Sequence, residues 1–352
     1  MLTNHKKGVM ITSFLFLHLC LPREEFDEKR VADSIKELQR EFSGNSFHLH
    51  TYMGVYEIRD RDEAVSIMVD KANIAADTIK NNYDCCVAYY DEHLLEISIE
   101  QRRLLGEFEP ALQNDEFVMY LQPQVKRDGA AKGAEALVRW VHPSRGILTP
   151  YAFIDILENA GLIYKLDLYI WEKAAQKLAE WKEKGYGSYH ISVNISTKDF
   201  YIIDIYETFT GLINKYGIAA SNLHLEITET TLMTDFEKNM NIIHKLQGVG
   251  FRVEIDDFGS GYSSLNMLKD ISADVLKIDM GFLRKSENEV KGQDILESII
   301  TLAGKIGMDV ITEGVETKKQ LDMLTMMGCH EFQGYYFSKP VPVSEFEEKY
   351  LV

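Results

Sequence analysis

The chain has 352 residues, 45% of them hydrophobic and 26% charged, with a formal net charge of −17. That suffices for two domains, or for one barrel of about 250 residues plus an added module. The acidic balance excludes gripping a nucleic acid polymer by bulk electrostatics, while leaving open a small phosphorylated ligand held through metal ions.

In chain order, Lys6 and Lys7 precede an apolar run, 9–21, that mimics a secretory leader. The run contains His18, lacks a small-x-small cleavage site and leads straight into PREEFDEKR. At about 13 residues it is also too short for a membrane span of ~20. It is read as a buried central strand, SFLFLHLCL (13–21), in a chain without a membrane segment. Four cysteines, Cys20, Cys85, Cys86 and Cys329, show neither zinc-type spacing nor disulfide density, which points to a reducing, cytoplasmic setting. Carboxylates Glu24, Glu25, Asp27 and Glu28 suit a solvated face or a helix start.

Val31, Ile35, Leu38 and Phe42 form one apolar stripe of a helix. HLHTYMGVYEI (48–58) alternates like a strand, 62–81 is helical in pattern, and CCVAYYD (85–91) closes a small α/β unit over 1–98. A charged helix over 95–111, rather than a Gly/Ser linker, leads into the second region, 99–352. There, eight apolar strands are expected: 117–125, 133–141, 189–196, 223–228, 251–257, 274–280, 308–315 and 331–338. Helices such as WEKAAQKLAEWKEKG (171–185) separate several of them. Strict alternation of this kind predicts a closed (β/α)8 barrel of TIM type. An open doubly wound sheet is the alternative, and it calls for a Gly-rich turn after the first strand that is missing here.

The stretch RVEIDDFGSGYSSL (252–265) carries most of the chemistry. Val253 and Ile255 mark a strand that ends in Asp256 and Asp257, followed by glycines 259 and 261. Adjacent carboxylates repel, and a divalent cation is the usual remedy; an acidic loop capping the next helix is the plainer reading. The other strands decide between them. Gln122, Glu135, Asn194, Glu226, Lys277, Asp279, Glu313 and Gln333 lie in or at the ends of these strands, and barrel chemistry gathers at strand C-termini. Acidic groups with an asparagine, and no His or Cys, suit Mg2+ or Mn2+ rather than zinc. With a lysine nearby, the set matches a two-metal phosphoryl site.

EALVRW (135–140), HPSRG (142–146), VNIS (193–196), LEITET (225–230), DDFGSGYSSL (256–265), LKID (276–279), EGVET (313–317) and QGYYFSKP (333–340) follow one another in order. By this set, 104–346 resembles the EAL-domain phosphodiesterases, which linearise cyclic di-GMP. The resemblance implies that Glu135, Asn194, Glu226 and Asp256 hold one cation and that Asp256 bridges to a second, also held by Asp257. It implies that Lys277 orients the nucleophilic water, with Glu313 and Gln333 in the same pocket. Gln122, Arg139 and Asp279 would contact the dinucleotide, and Glu229 would pin the loop after Asp257. It further implies a homodimer through the barrel. Glu254 and Thr312 depart from the family pattern; Glu254 shares a face with Asp256 and is expected one layer below the metals, beside a neighbouring cation. A catalytically idle receptor that binds the dinucleotide, or a protein-interaction module, is the alternative function, although such relatives typically lose an acidic ligand.

More weakly, GVYEI (54–58), MVDKANIAADTIKNN (68–82) and VAYYDE (87–92) resemble the C-terminal half of a diguanylate cyclase (GGDEF) domain. The signature turn is missing. The resemblance therefore implies a degenerate, truncated module over 1–98 that makes no cyclic di-GMP.

Overall fold

The computed structural model describes residues 8–13, 18–42, 51–80, 82, 85–258, 271–281 and 289–351. The chain divides into two compact units, Met1–Gly106 and Glu107–Val352. Among the described residues no helix is long and apolar enough to cross a membrane.

In the first unit, β1 (Gly8–Ser13) and β2 (His18–Pro22) pair antiparallel, so the expected single strand over 13–21 is replaced by parts of two; residues 14–17 lie outside the description. Asp27 accepts from the Arg30 amide and starts α1 (Glu28–Phe42), which supports the helix-start reading of its acidic neighbourhood. β3 (Met53–Ile58), α2 (Val65–Asp77) and β4 (Val87–Tyr89) complete a sheet of order β2-β1-β3-β4, in which β1, not the run that follows it, is internal. Val55 packs with Phe26, Val31 and Val87 on one face, and Tyr56 with Met68 and Ala72 on the other, as period-2 alternation demands. α3 (Glu92–Gln113) is longer at both ends than its sequence pattern suggested.

The second unit is a closed barrel. Its eight staves are β5 (Phe117–Lys126), β6 (Ala131–His142), β8 (His190–Ile195), β9 (Leu223–Thr228), β10 (Val253–Asp256), β11 (Val275–Asp279), β12 (Asp309–Glu313) and β13 (Glu331–Phe332). Short strands β7 (Gly146–Leu148) and β14 (Val341–Pro342) attach to β6 and β5. The expected alternation fails at the first step. β5 and β6 form an antiparallel hairpin with no helix between them, and β5 also runs antiparallel to β13, so seven staves are parallel and one is reversed. The physical reason is the tight turn at Asp128 and Gly129: Asp128 Oδ1 accepts from the Ala130 amide, and Gly129 takes φ 86°.

The helices seal the outside. Ile163–Glu183 buries Ile163, Leu166, Ile170, Trp171, Ala174, Leu178 and Trp181, a stripe at helical spacing. Trp171 donates its indole N–H to the Asn194 carbonyl at 2.9 Å, fixing the upper end of β8. Outward-facing Leu225, Ile227, Val253 and Ile255 are fully buried beneath this layer, which leaves the alternate residues of the same strands pointing into the barrel.

Candidate active site

At the C-terminal ends of the parallel staves, inward-pointing carboxylates surround one ammonium. Lys277 Nζ lies 2.7 Å from Glu226, 2.8 Å from Glu313, 3.3 Å from Asp256 and 3.4 Å from Glu135, and is itself fully buried. Asn194 Nδ2 donates to Glu135 Oε1 at 3.1 Å, leaving its carbonyl oxygen for another partner. Gln333 Nε2 donates to Glu135 Oε2 and, at 3.2 Å, to Gln122 Oε1. Eight of the residues singled out in the sequence thus form one bonded cluster drawn from all eight staves or the residue following the last of them.

Its electrostatics are lopsided. Burial works against the Lys277 ammonium, yet Asp256, Glu135, Glu226 and Glu313 hold its pKa well above the ordinary lysine value. Burial, reinforced by Glu135, drives the Glu226 carboxyl well above the carboxylate range. Glu313 is pushed up to about 8, again first by burial. One oxygen of Glu226, Oε1, is buried with no hydrogen-bond partner. An all-oxygen donor set with excess negative charge and an orphaned carboxylate oxygen is what a hard divalent cation satisfies.

The remaining candidates sit around this cluster. Asp257 is exposed, holds φ 55° and donates its amide to Asp256 Oδ1 at 2.9 Å; burial of its carboxyl and the nearby Asp256 raise its pKa. Asp279 is exposed beside Glu313 in the strand register, and accepts from the Gly281 amide. Arg139 is half-buried on β6, its guanidinium 5.4 Å from the Tyr120 ring centroid and bonded to the Val138 carbonyl. Neither bonds to the central cluster. Glu229 opens the short helix Glu229–Thr234 directly after β9; the loop it was expected to pin, 259–270, lies outside the described residues. Thr312 is fully buried and 3.5 Å from the Cys329 sulfur, remote in role from the cluster.

A second polar layer lies two residues down the same strands, and sequence reasoning found only Glu254 of it. His224 Nδ1 and Glu254 Oε1 are 2.6 Å apart, Ser192 Oγ donates to Glu254 Oε1 at 3.3 Å, and His190 Nε2 meets Gln124 Oε1 at 2.7 Å. The two imidazoles stack at 3.8 Å, 5° from parallel. Burial would raise the Glu254 pKa, but hydrogen bonding and charge from His224 bring it down to about 2. Burial, with His224 alongside, pushes His190 well below the usual histidine value. The missed signal was parity: Gln124, His190, Ser192 and His224 each share a face with a residue already singled out on the same strand.

Comparison with known proteins places the barrel in a family. Escherichia coli cyclic di-GMP phosphodiesterase PdeR is 33% identical over 240 residues, covering 68% of this chain and 36% of PdeR. The Synechocystis protein sll1895 is 31% identical over 337 residues, 95% of this chain and 48% of that protein. The chain therefore spans less than half the length of these curated relatives. Among solved structures, the PaMucR phosphodiesterase in complex with c-di-GMP superposes with a TM-score of 0.66 at 33% identity, over 69% of this chain and 99% of that one. The EAL domain model matches residues 106–340, a span that holds every carboxylate around Lys277, and by that match the chain belongs to the EAL domain family.

Proposed function

We propose that this chain hydrolyses cyclic di-GMP to linear pGpG at the barrel mouth, in a reaction that depends on two Mg2+ or Mn2+ ions. The observation that carries the reading is the unbalanced cluster itself: four carboxylates and an asparagine around one lysine, with a buried Glu226 oxygen left unpaired. The likeness to a phosphodiesterase solved with c-di-GMP supports the substrate class.

Glu135, Asn194, Glu226 and Asp256 would hold one cation, and Asp256 with Asp257 the other. Bound there, such ions provide an ionised water at neutral pH and offset charge gathering on the phosphodiester. Lys277 is held charged among these carboxylates, so an N–H released as they turn to the cations would orient the water as the water oxygen bonds to phosphorus and the P–O3′ bond breaks. The leaving 3′ oxygen takes up a proton, giving a 5′-phosphate and a 3′-hydroxyl. Glu313 holds the Lys277 ammonium at 2.8 Å and Gln333 fixes the Glu135 carboxylate, so both keep the ligands in place. Arg139 offers a guanidinium for phosphate, and Gln122 and Asp279 polar edges for the dinucleotide. Glu229 would steady the loop after Asp257.

We assign 99–352 to this enzyme and 1–98 to a degenerate GGDEF-like module, with dimerisation through the barrel and a cytoplasmic site of action. Motifs GVYEI, MVDKANIAADTIKNN and VAYYDE carry the reading of the module. The test is chromatography of cyclic di-GMP incubated with the protein and Mg2+. A pGpG peak that disappears with EDTA is expected. Turnover persisting after complete metal removal overturns the metal-dependent reading, and binding without turnover leaves a receptor.

A further inference from the structure

We infer that His190, His224 and Glu254 form a separate metal site inside the barrel, one layer below the acidic mouth, suited to a zinc-class ion. One donor atom from each of the three lies within 4.8 Å of the other two. The hydrogen bonds fix which atoms those are. Ser221 O can only accept, so His224 Nε2, 3.2 Å away, carries a hydrogen, and Nδ1 is the ring nitrogen left to face a ligand. Nδ1 faces Glu254 Oε1 at 2.6 Å, a position held by a shared proton in the metal-free protein and open to a cation in that proton's place. His190 repeats the pattern, with Nε2 turned to Gln124 Oε1 and Nδ1 left as the lone-pair atom. An imidazole whose second nitrogen donates to an oxygen is the usual arrangement of a metal-ligating histidine.

Two further observations mark this as a built site. Glu254 Oε2 and Gln124 Nε2 are buried and unpartnered, and both residues are essentially without solvent exposure. Gly133, paired with His190 in the strand register, has no side chain where a Cβ would stand 2.4 Å from the imidazole ring. The glycine therefore makes the room that the ring occupies. Two nitrogens and a carboxylate favour zinc, cobalt or ferrous iron, whereas the oxygen-only mouth favours magnesium or manganese. Because the rings are now nearly parallel, seating an ion on both Nδ1 atoms opens the stack by rotation of one imidazole.

The full chain, stripped with chelator, is given equimolar Zn2+ in excess Mg2+, desalted, and its metal counted by mass spectrometry. One zinc per chain is expected, retained by Glu135→Gln and weakened at least tenfold by His224→Gln and by Glu254→Gln. Loss of zinc to Mg2+ in the wild type, or retention by His224→Gln, overturns the site. Cobalt loaded into the wild type gives an independent reading that needs no variant. An intense visible band of a low-coordinate, nitrogen-ligated ion supports the site, and the weak spectrum of a six-coordinate all-oxygen ion refutes it.

Discussion

The two polar layers of the barrel are built on the same strands, about 7 Å apart along each, yet they solve charge differently. At the mouth, Glu135, Glu226, Asp256 and Glu313 share one ammonium and leave a carboxylate oxygen unpaired. Below, the single carboxylate of Glu254 meets one imidazole, a serine hydroxyl and the edge of an amide-bonded histidine stack. Each layer keeps an unpaired carboxylate oxygen, but the lower one sets a single carboxylate against two imidazoles, whereas the mouth sets four against one ammonium. The mouth is therefore arranged for more positive charge brought from outside, because unpaired buried charge is otherwise costly.

The sharpest way to break this contrast is Asp256→Ala. We expect cyclic di-GMP turnover to fall at least about 1,000-fold, ~4 kcal/mol on the barrier, while the metal-free protein melts no earlier, since a like charge has left the mouth. Retention of more than about a tenth of the rate in a chromatographic assay would remove Asp256 from the centre of the site. Next in size, Lys277→Met should cost the metal-free protein about 3 kcal/mol in urea unfolding, because it strands four carboxylates without their cation. Added Mg2+ should shrink that loss; an undiminished loss would mean the mouth does not collect cations.

Glu254→Gln probes the layer below. It should cost about 2 kcal/mol by weakening a charge-assisted hydrogen bond, and the loss should not add to that of His224→Gln in a double-mutant cycle. Full additivity would deny that the two side chains act as a pair. The smallest effect is a baseline outside both layers. Glu347 accepts from the Trp181 indole at 2.8 Å and lies 3.3 Å from Lys177; burial opposes its charge, but these partners lower its pKa. A lowered folded pKa gives stability that is present above the unfolded value, near 4.5, and lost as pH falls through the folded one. Glu347→Gln should therefore cost about 1 kcal/mol at neutral pH and nothing once the medium is acidic enough to protonate Glu347 in the wild type. An equal loss at both pH values would assign the effect to packing.

The staves and the mouth cluster were legible because alternation is local: Glu226 between Leu225 and Ile227 declares an inward face by its neighbours alone. Strand direction is not local, and β5 was read as one more parallel stave. Its reversal did leave a trace, the Asp128-Gly129 dipeptide between two apolar runs, which is a hairpin signal. The lower layer escaped for a different reason. His190 and His224 sit far apart in the chain, and only the register that sets Ser192 opposite His224 and Gly133 opposite His190 stacks their rings. The run at 13–21 misled because nine apolar or neutral residues contain no residue that announces a turn.

Asp257 carries a consequence for anyone who selects variants of this protein by heat. With Asp115 it is one of two non-glycine residues at positive φ among those described, a backbone region where a side chain costs roughly 1 kcal/mol that glycine does not incur. A thermostability screen without an activity readout will accordingly favour Asp257→Gly, which relaxes the backbone and removes a carboxylate repelled by Asp256. Such a winner would be sturdier and catalytically poorer, so stability and turnover are set against each other at this one position.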